Sequence, residues 1–306
     1  MDLYGTFPIG PPTNASVAPR FGPAGPHRNP ARSTRATSLA DRAVQALVAE
    51  ALLTPKPALV DQRGPGAHHD LDLGRLLRSA RALHAPFRAL ALAADGRGPD
   101  RALRETLGAI GRHGERRMLE ATGGSNAHRG AIWVLGLLIA AQAMSERHAG
   151  SAEVTELAAR LARLPDRRAP QLPSNGRRVC RIFRVTGARG EAAAGFPHVI
   201  DVGLPQLRRA RTLGRDETAA RLDALLAIMA SLDDTCLLHR GGRSALEAAQ
   251  SGARRVLILG GSGSAAGRRA LLELDAELLR RRASPGGAAD LLAACLFLDA
   301  LPSQRA

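Results

Sequence analysis

The chain has 306 residues, 45% of them apolar but only 3% aromatic, and a formal charge of +15. That is enough chain for a sizeable core, and a core built of Leu, Ala and Val favours helices over sheets. Three cysteines at 180, 236 and 295 show no metal-like or disulfide-framework spacing, so they read as buried small residues of a reduced, cytoplasmic protein without structural zinc.

The charge asks for an anionic partner. Arginines are spread over every segment, and aromatic residues to stack on bases are scarce, so nucleotide-sized polyanions suit this field better than nucleic acid does. A basic protein that binds nucleic acid or a carrier protein is the competing class.

In chain order, residues 1–36 hold many of the prolines and glycines, as in Gly22-Pro23-Ala24-Gly25-Pro26, and lack periodicity. They read as a disordered leader before a single helical domain at 37–306. They contain no apolar secretory run, and the longest apolar run in the chain, Ala131 to Ala141, is too short to cross a membrane; no membrane partner is expected. Ser38-Leu39-Ala40-Asp41 is a capping-box pattern that opens a helix ending at Thr54. Leu39, Ala43, Ala46, Leu47 and Glu50 fall near one face. Glu50 is the odd member, either a wet flank residue or a group reaching into the polar loop that follows.

That loop is Thr54-Pro55-Lys56-Pro57-Ala58-Leu59-Val60-Asp61, continuing through Gly66-Ala67-His68-His69-Asp70-Leu71-Asp72. The two prolines stop the helix, and the loop beyond them carries Lys56, His68, His69 and three aspartates. So many ionisable groups on a rigidly entered loop point to a site. Lys56 is the only lysine of the chain, and a compact ammonium among arginines suits a phosphate.

Helices are predicted at Leu73 to Ala93 (one or two), Asp100 to Ala121 with a stop at Gly123-Gly124, Asn126 to Arg147 as the buried central helix, Ser151 to Leu164, Asp216 to Ser231, Ala245 to Ser251, Ala265 to Arg282 and Gly287 to Leu301. The stretch from Gln171 to Pro205 is the least regular, with short extended pieces expected at Val179 to Val185. Arg255-Val256-Leu257-Ile258-Leu259-Gly260-Gly261-Ser262-Gly263 imitates the strand and glycine turn of a dinucleotide-binding fold. No second strand and no acidic residue follow at the required distance, so an interhelical loop is the better reading. The succession of helices argues for an all-α, multi-helical globular domain.

Polar clusters recur at helix ends: Thr122-Gly123-Gly124-Ser125-Asn126-Ala127-His128-Arg129-Gly130, Gly187-Ala188-Arg189-Gly190-Glu191, Leu232-Asp233-Asp234-Thr235-Cys236-Leu237-Leu238-His239-Arg240, and Ser284-Pro285-Gly286-Gly287-Ala288-Ala289-Asp290. Each taken alone is a cap or a turn. Taken in order with the Lys56 loop, from about residue 39 onward, they resemble the triphosphoribosyl-dephospho-coenzyme A synthase family. The sequence departs from that pattern at Ala58, where the family usually has glycine, and at Ala127 and Arg129, where threonine and lysine are usual.

The resemblance implies transfer of the triphosphoribosyl group of ATP to the 2′-hydroxyl of 3′-dephospho-CoA with release of adenine. The helical domain would then be catalytic, and its product would pass to a separate transferase acting on an acyl-carrier subunit. On this reading Lys56, His68, Asn126, His128, Arg129, Arg189, His239, Arg240, Gly286 and Gly287 bind substrate or phosphate. Asp70, Asp72, Asp233 and Asp234 supply the carboxylates for Mg²⁺, brought in with ATP, and Glu191 or Asp61 is the general base. Malonate decarboxylase and citrate lyase are both possible destinations; the arginine-rich, lysine-poor composition favours malonate decarboxylase.

Overall fold

A computed structural model of the chain describes residues 30–146, 148–170 and 174–302. Two helices that are apolar on every side, α5 (Arg129–Met144) and α13 (Gly286–Asp299), pack against each other at the centre. A helix without a polar face can only sit inside, so these two set the layout. Around α5 lie α1 (Pro30–Leu52), α3 (His84–Ala94), α4 (Arg101–Thr122) and α6 (Ser151–Arg163). α13 is covered by α1, by α10 (Glu217–Met229) and by a π-helical turn at His198–Gly203. α2 (Leu73–Ala82) packs on α1 and α4, while α11 (Thr235–Ile258) and α12 (Ala265–Arg280) form an outer pair. Among the described residues there is no strand, only an isolated bridge between Asp61 and Gly64. The fold is all-α.

Sequence-encoded starts and stops hold at most helix ends. Asp72, Asp100, Asp216 and Ser264 accept the backbone N–H three residues on, and Gly123 ends α4 in the left-handed region at φ 68°. The region from Leu73 to Ala94 divides into two helices at Leu83.

Two expectations are corrected. α1 begins at Pro30, so residues 30–36 of the expected leader are helical and Ser38 lies inside the helix rather than capping it. The reason is tertiary: Ala36 is buried, and the Arg35 guanidinium donates to the carbonyls of Gln142 (2.6 Å) and Ser145 (2.7 Å) at the end of α5. The rest of that leader, residues 1–29, lies outside the described residues. The second correction concerns the irregular stretch. It is helical in place of extended, with α7 (Asn175–Phe183), α8 (Gly187–Ala193), the π-helical turn and α9 (Leu204–Thr212). Ser174 caps α7, yet only Val179 of that helix is buried, so no apolar period announced it. The glycine-rich imitation of a nucleotide-binding turn is the end of α11 and a loop. Ser262 N–H there donates to Asp223 at 2.7 Å, and a Cβ on Gly261 would lie 2.3 Å from the same carboxylate.

Candidate active site

The Lys56 loop is a polar knot closed on itself. Lys56 is 1% exposed, and its Nζ donates to Glu50 Oε1 at 2.5 Å and to the Glu50 carbonyl at 2.7 Å. Asp61 accepts from Lys56 N–H at 2.9 Å and from Arg63 N–H at 2.8 Å, and pairs with the Arg63 guanidinium. Arg63 and Ala58 N–H both reach Asp275 on α12, at 2.7 Å each. Ala58 sits at φ 53°, in the left-handed region that favours glycine and costs a residue with a Cβ about 1 kcal/mol. Opposite it a Cβ on Gly66 would come within 2.5 Å of the Ala58 and Leu59 carbonyls, so only glycine lets the two limbs of the loop meet.

Four helix starts meet beside this knot. Asp234, buried ahead of α11, accepts from Cys236 N–H (2.7 Å) and from Ala288 N–H in the first turn of α13 (3.0 Å). Asp290 of α13 accepts from Ala131 N–H in the first turn of α5. Trp133 of α5 donates to the carbonyl of Ala188 in α8 at 3.1 Å. A Cβ on Gly187 would lie 3.2 Å from Thr235, which ties α8 back to α11. The loop itself is held here by His68, whose Nε2 is 3.1 Å from Ser284 Oγ and whose Nδ1 is 3.1 Å from the Arg240 guanidinium, and by Ser125 Oγ donating to the Asp70 carbonyl at 2.6 Å. Arg240 also donates to the Ala67 carbonyl.

Electrostatics follow from this enclosure. Burial, with Arg240 beside it, lowers His68 to about 4. Burial, with Lys56 nearby, lowers His128 to about 3; its Nδ1 is bonded to Ser79 Oγ at 2.7 Å and its Nε2 has no partner. Both imidazoles are neutral at pH 7. Burial raises Asp234, and burial with the Glu50 and Asp234 carboxylates nearby raises Asp290 well above the usual carboxylate range. His198 is raised by its 2.8 Å bond to Glu191.

The structure gives the expected residues the following surroundings. Lys56 faces Glu50, since an unpaired ammonium at this depth would be uncompensated. Asp61, 2% exposed, and Glu191, 7% exposed, have their oxygens engaged, Asp61 by the loop and Glu191 by His198 N–H and Nδ1, so neither presents a free base. The four aspartates do not converge: Asp72 caps α2, Asp234 is a buried cap, and among the described residues no three His, Cys, Asp or Glu side chains could share a metal. Gly286 and Gly287 give close packing against Cys236 and Asp234, where a Cβ would stand at 3.1 and 3.0 Å. His128 is sealed, and Asn126 accepts from Arg129 N–H at the head of α5.

Asp70, Asp233, Arg129, Arg189, His239 and Arg240 keep surface open to a ligand. Arg189 lies over Trp133 at 5.7 Å and Arg129 pairs with Glu115 at 3.4 Å. Four residues outside the sequence-derived set also belong here: Glu50, Ser284, His198 and Asp290. Glu50 was signalled by an acid on an apolar stripe. Asp290 read only as a helix-start acid, and nothing in the sequence marked His198. A groove of about 580 Å³ lined by Val48, Leu52, Arg81 and Glu217 shares only Thr54 and Gln62 with the loop and includes none of the residues that join the four helix starts.

Fold and site together define an all-α protein with an arginine-rimmed polar centre built where helices begin, a setting for a small anionic ligand. The family model described as ATP:dephospho-CoA triphosphoribosyl transferase matches residues 36–306, and the chain belongs to that family. It is a transferase. A relative from Klebsiella pneumoniae named 2-(5″-triphosphoribosyl)-3′-dephosphocoenzyme-A synthase is 54% identical over 266 residues, covering 87% of this chain and 95% of its own. Relatives from Azotobacter vinelandii (59% identical, 88% of this chain and 93% of theirs) and Pseudomonas aeruginosa (58%, 87% and 91%) carry the same name prefixed "Probable".

Two measurements check the energetics. Lys56→Met leaves Glu50 as a lone buried charge and should destabilise the fold by about 3–5 kcal/mol in urea unfolding, whereas Glu50→Leu combined with Lys56→Met should recover most of that loss. Single and double variants of equal stability would show that the pair is not buried as described. His128 has a folded pKa below its unfolded one, so the unfolded state binds the extra proton and stability is lost as pH falls through 6.5 towards 3. From pH 6.5 to 5 this one group should remove roughly 2 kcal/mol, and the wild type should lose more of its stability over that range than His128→Gln does.

Proposed function

We propose that the chain catalyses transfer of the triphosphoribosyl group from ATP to the 2′-hydroxyl of 3′-dephospho-CoA, releasing adenine. What carries this reading is membership of the family over residues 36–306, and the chemistry of the helix-start convergence agrees with it. The triphosphate needs cations, and Arg240, Arg189 and Arg129 stand at the rim with His239. Asp70 and Asp233 are the open carboxylates flanking it; Asp70 lies 3.9 Å from the neutral His68, and Asp233 acts on His198. Magnesium on a polyphosphate takes only about one or two protein carboxylates, which this donor set can provide. When bound, Mg²⁺ would neutralise phosphate charge; the protein orients the ribose and accepts the hydroxyl proton on the carboxylate that does not hold the ion.

The test is release of free adenine from ATP, expected only when 3′-dephospho-CoA is present. Asn in place of the metal-holding aspartate should raise the Mg²⁺ needed for half-maximal rate, and Asn in place of the base should lower kcat on the order of a hundredfold at saturating Mg²⁺. If Asp70→Asn and Asp233→Asn both keep wild-type rates, the reaction centre lies elsewhere. Absence of adenine release together with salt-dependent duplex binding would favour the nucleic-acid-binding class.

The product would pass to a separate transferase that loads an acyl-carrier subunit, and the arginine-rich composition supports malonate decarboxylase as its destination. Deletion of the gene should abolish growth on malonate and leave the carrier subunit without its prosthetic group. Normal growth on malonate with loss of citrate fermentation would assign the chain to citrate lyase.

A further inference from the structure

Arg104 of α4 is 6% exposed, yet its guanidinium donates no hydrogen bond to any described residue. Its Nε is sealed from water without a partner, while the two terminal nitrogens, also unbonded, are not sealed. The carboxylate that faces it, Asp166, stands 3.8 Å from Nη1 and is engaged elsewhere. Asp166 accepts from the Arg112 guanidinium at 2.7 Å and from Arg168 N–H at 3.0 Å. It also lies so close on α4 that a Cβ on Gly108 would fall 2.1 Å from Oδ2. A guanidinium has five N–H donors in a rigid fork, and burying it with none of them bonded is costly.

A second guanidinium beside it is in the same position. Arg189 of α8 forms no ion pair among the described residues; Arg177 acts on it as a like charge, and Asp166 is the carboxylate that offsets this. Burial lowers the Arg104 pKa, Asp166 opposes that, and Arg189 and Arg112 add to it. Both guanidiniums lie over the Trp133 ring, at 5.0 and 5.7 Å from its centre, and the indole N–H bond to the Ala188 carbonyl fixes that ring. The ring face attracts a cation but satisfies no N–H donor. Since Arg112 neutralises Asp166, Arg104 and Arg189 leave two positive charges without a counter-charge.

We infer that Arg104 and Arg189, set side by side on Trp133, bind phosphate oxygens of a phosphoanhydride. The inference rests on the transfer reaction proposed above. The planar fork takes two phosphate oxygens at once, and two guanidiniums match two adjoining phosphates. Trp133 follows Arg129 by four residues, about one helical turn, so Arg104 extends the arginine rim inward along α5. Both substrates carry such a group: ATP its triphosphate, and 3′-dephospho-CoA its diphosphate bridge.

Calorimetric titration of each substrate alone, at constant ionic strength, tests the site without turnover. Arg104→Met keeps the buried stem and removes a charge that bonds to nothing, so it should melt no lower than wild type. It should weaken the phosphate-bearing substrate that seats there by about ten- to a hundredfold, and Arg189→Met should weaken the same one. Loss of ATP affinity assigns the site to the triphosphate, and loss of 3′-dephospho-CoA affinity to the diphosphate bridge. Arg208→Met, which removes an exposed guanidinium of α9, should leave both affinities within about twofold of wild type. Unchanged binding of both substrates by Arg104→Met overturns the inference. So does equal weakening by Arg208→Met, which would make the effect one of net charge, and so does a much lower melting point or failure to fold in Arg104→Met, which would make the side chain structural. The parent reading fails separately: the wild type would bind these substrates through Arg104 and still release no adenine.

Discussion

An ammonium sealed from water against a single carboxylate is the constraint on which the rest of the centre depends. Lys56 cannot be hydrated, so Glu50 must stay beside it, and that fixes the last turns of α1 relative to the loop. The loop is in turn bound to α12 by Asp275 and to α11 and α13 by His68. Breaking the pair would leave a bare charge in the path of every one of these connections. The same pair removes the net positive charge of Lys56 from the interior, so the neighbouring Asp290 has no cation to ionise against.

Close approach of helix starts follows from small residues as much as from hydrogen bonds. Gly130 admits Asp290, Gly287 admits Asp234 and Gly187 admits Thr235. The first two leave a carboxylate against the backbone amides at a helix head, where the partial positive charge favours it, and the third leaves room for the Thr235 methyl group. The inner carboxylates are held by backbone and the outer ones are left open, and this separates groups that build the centre from groups that can meet a ligand.

Much of the fold was legible in the sequence because helices announce themselves by period and cap. α5 and α13 are apolar on all sides, and Asp100, Asp216 and Gly123 mark their helix ends in plain view. α7 was not legible, since Val179 is its only buried residue, and the seven-residue α8 was not, since it is too short to show a period and is held by Trp133 on Ala188. The loops that meet at the centre were legible as a set of polar motifs, but the roles within them were not. Lys56 and a phosphate-binding lysine have the same letter; only depth and the position of Glu50, one turn and a half back, tell them apart. Likewise a helix-start aspartate reads as a cap whether it accepts from its own helix, as Asp72 does, or from another, as Asp290 does.

The burial of Lys56 reaches beyond catalysis. It is the only lysine in the chain, so no lysine amine is displayed to solvent, and all the remaining positive side chains other than histidine are guanidinium groups that stay protonated. Thioesters and other acyl donors acylate unprotonated amines. The described surface therefore offers them no lysine target, and a protein with a large positive charge keeps that charge unaltered in a milieu of activated acyl groups.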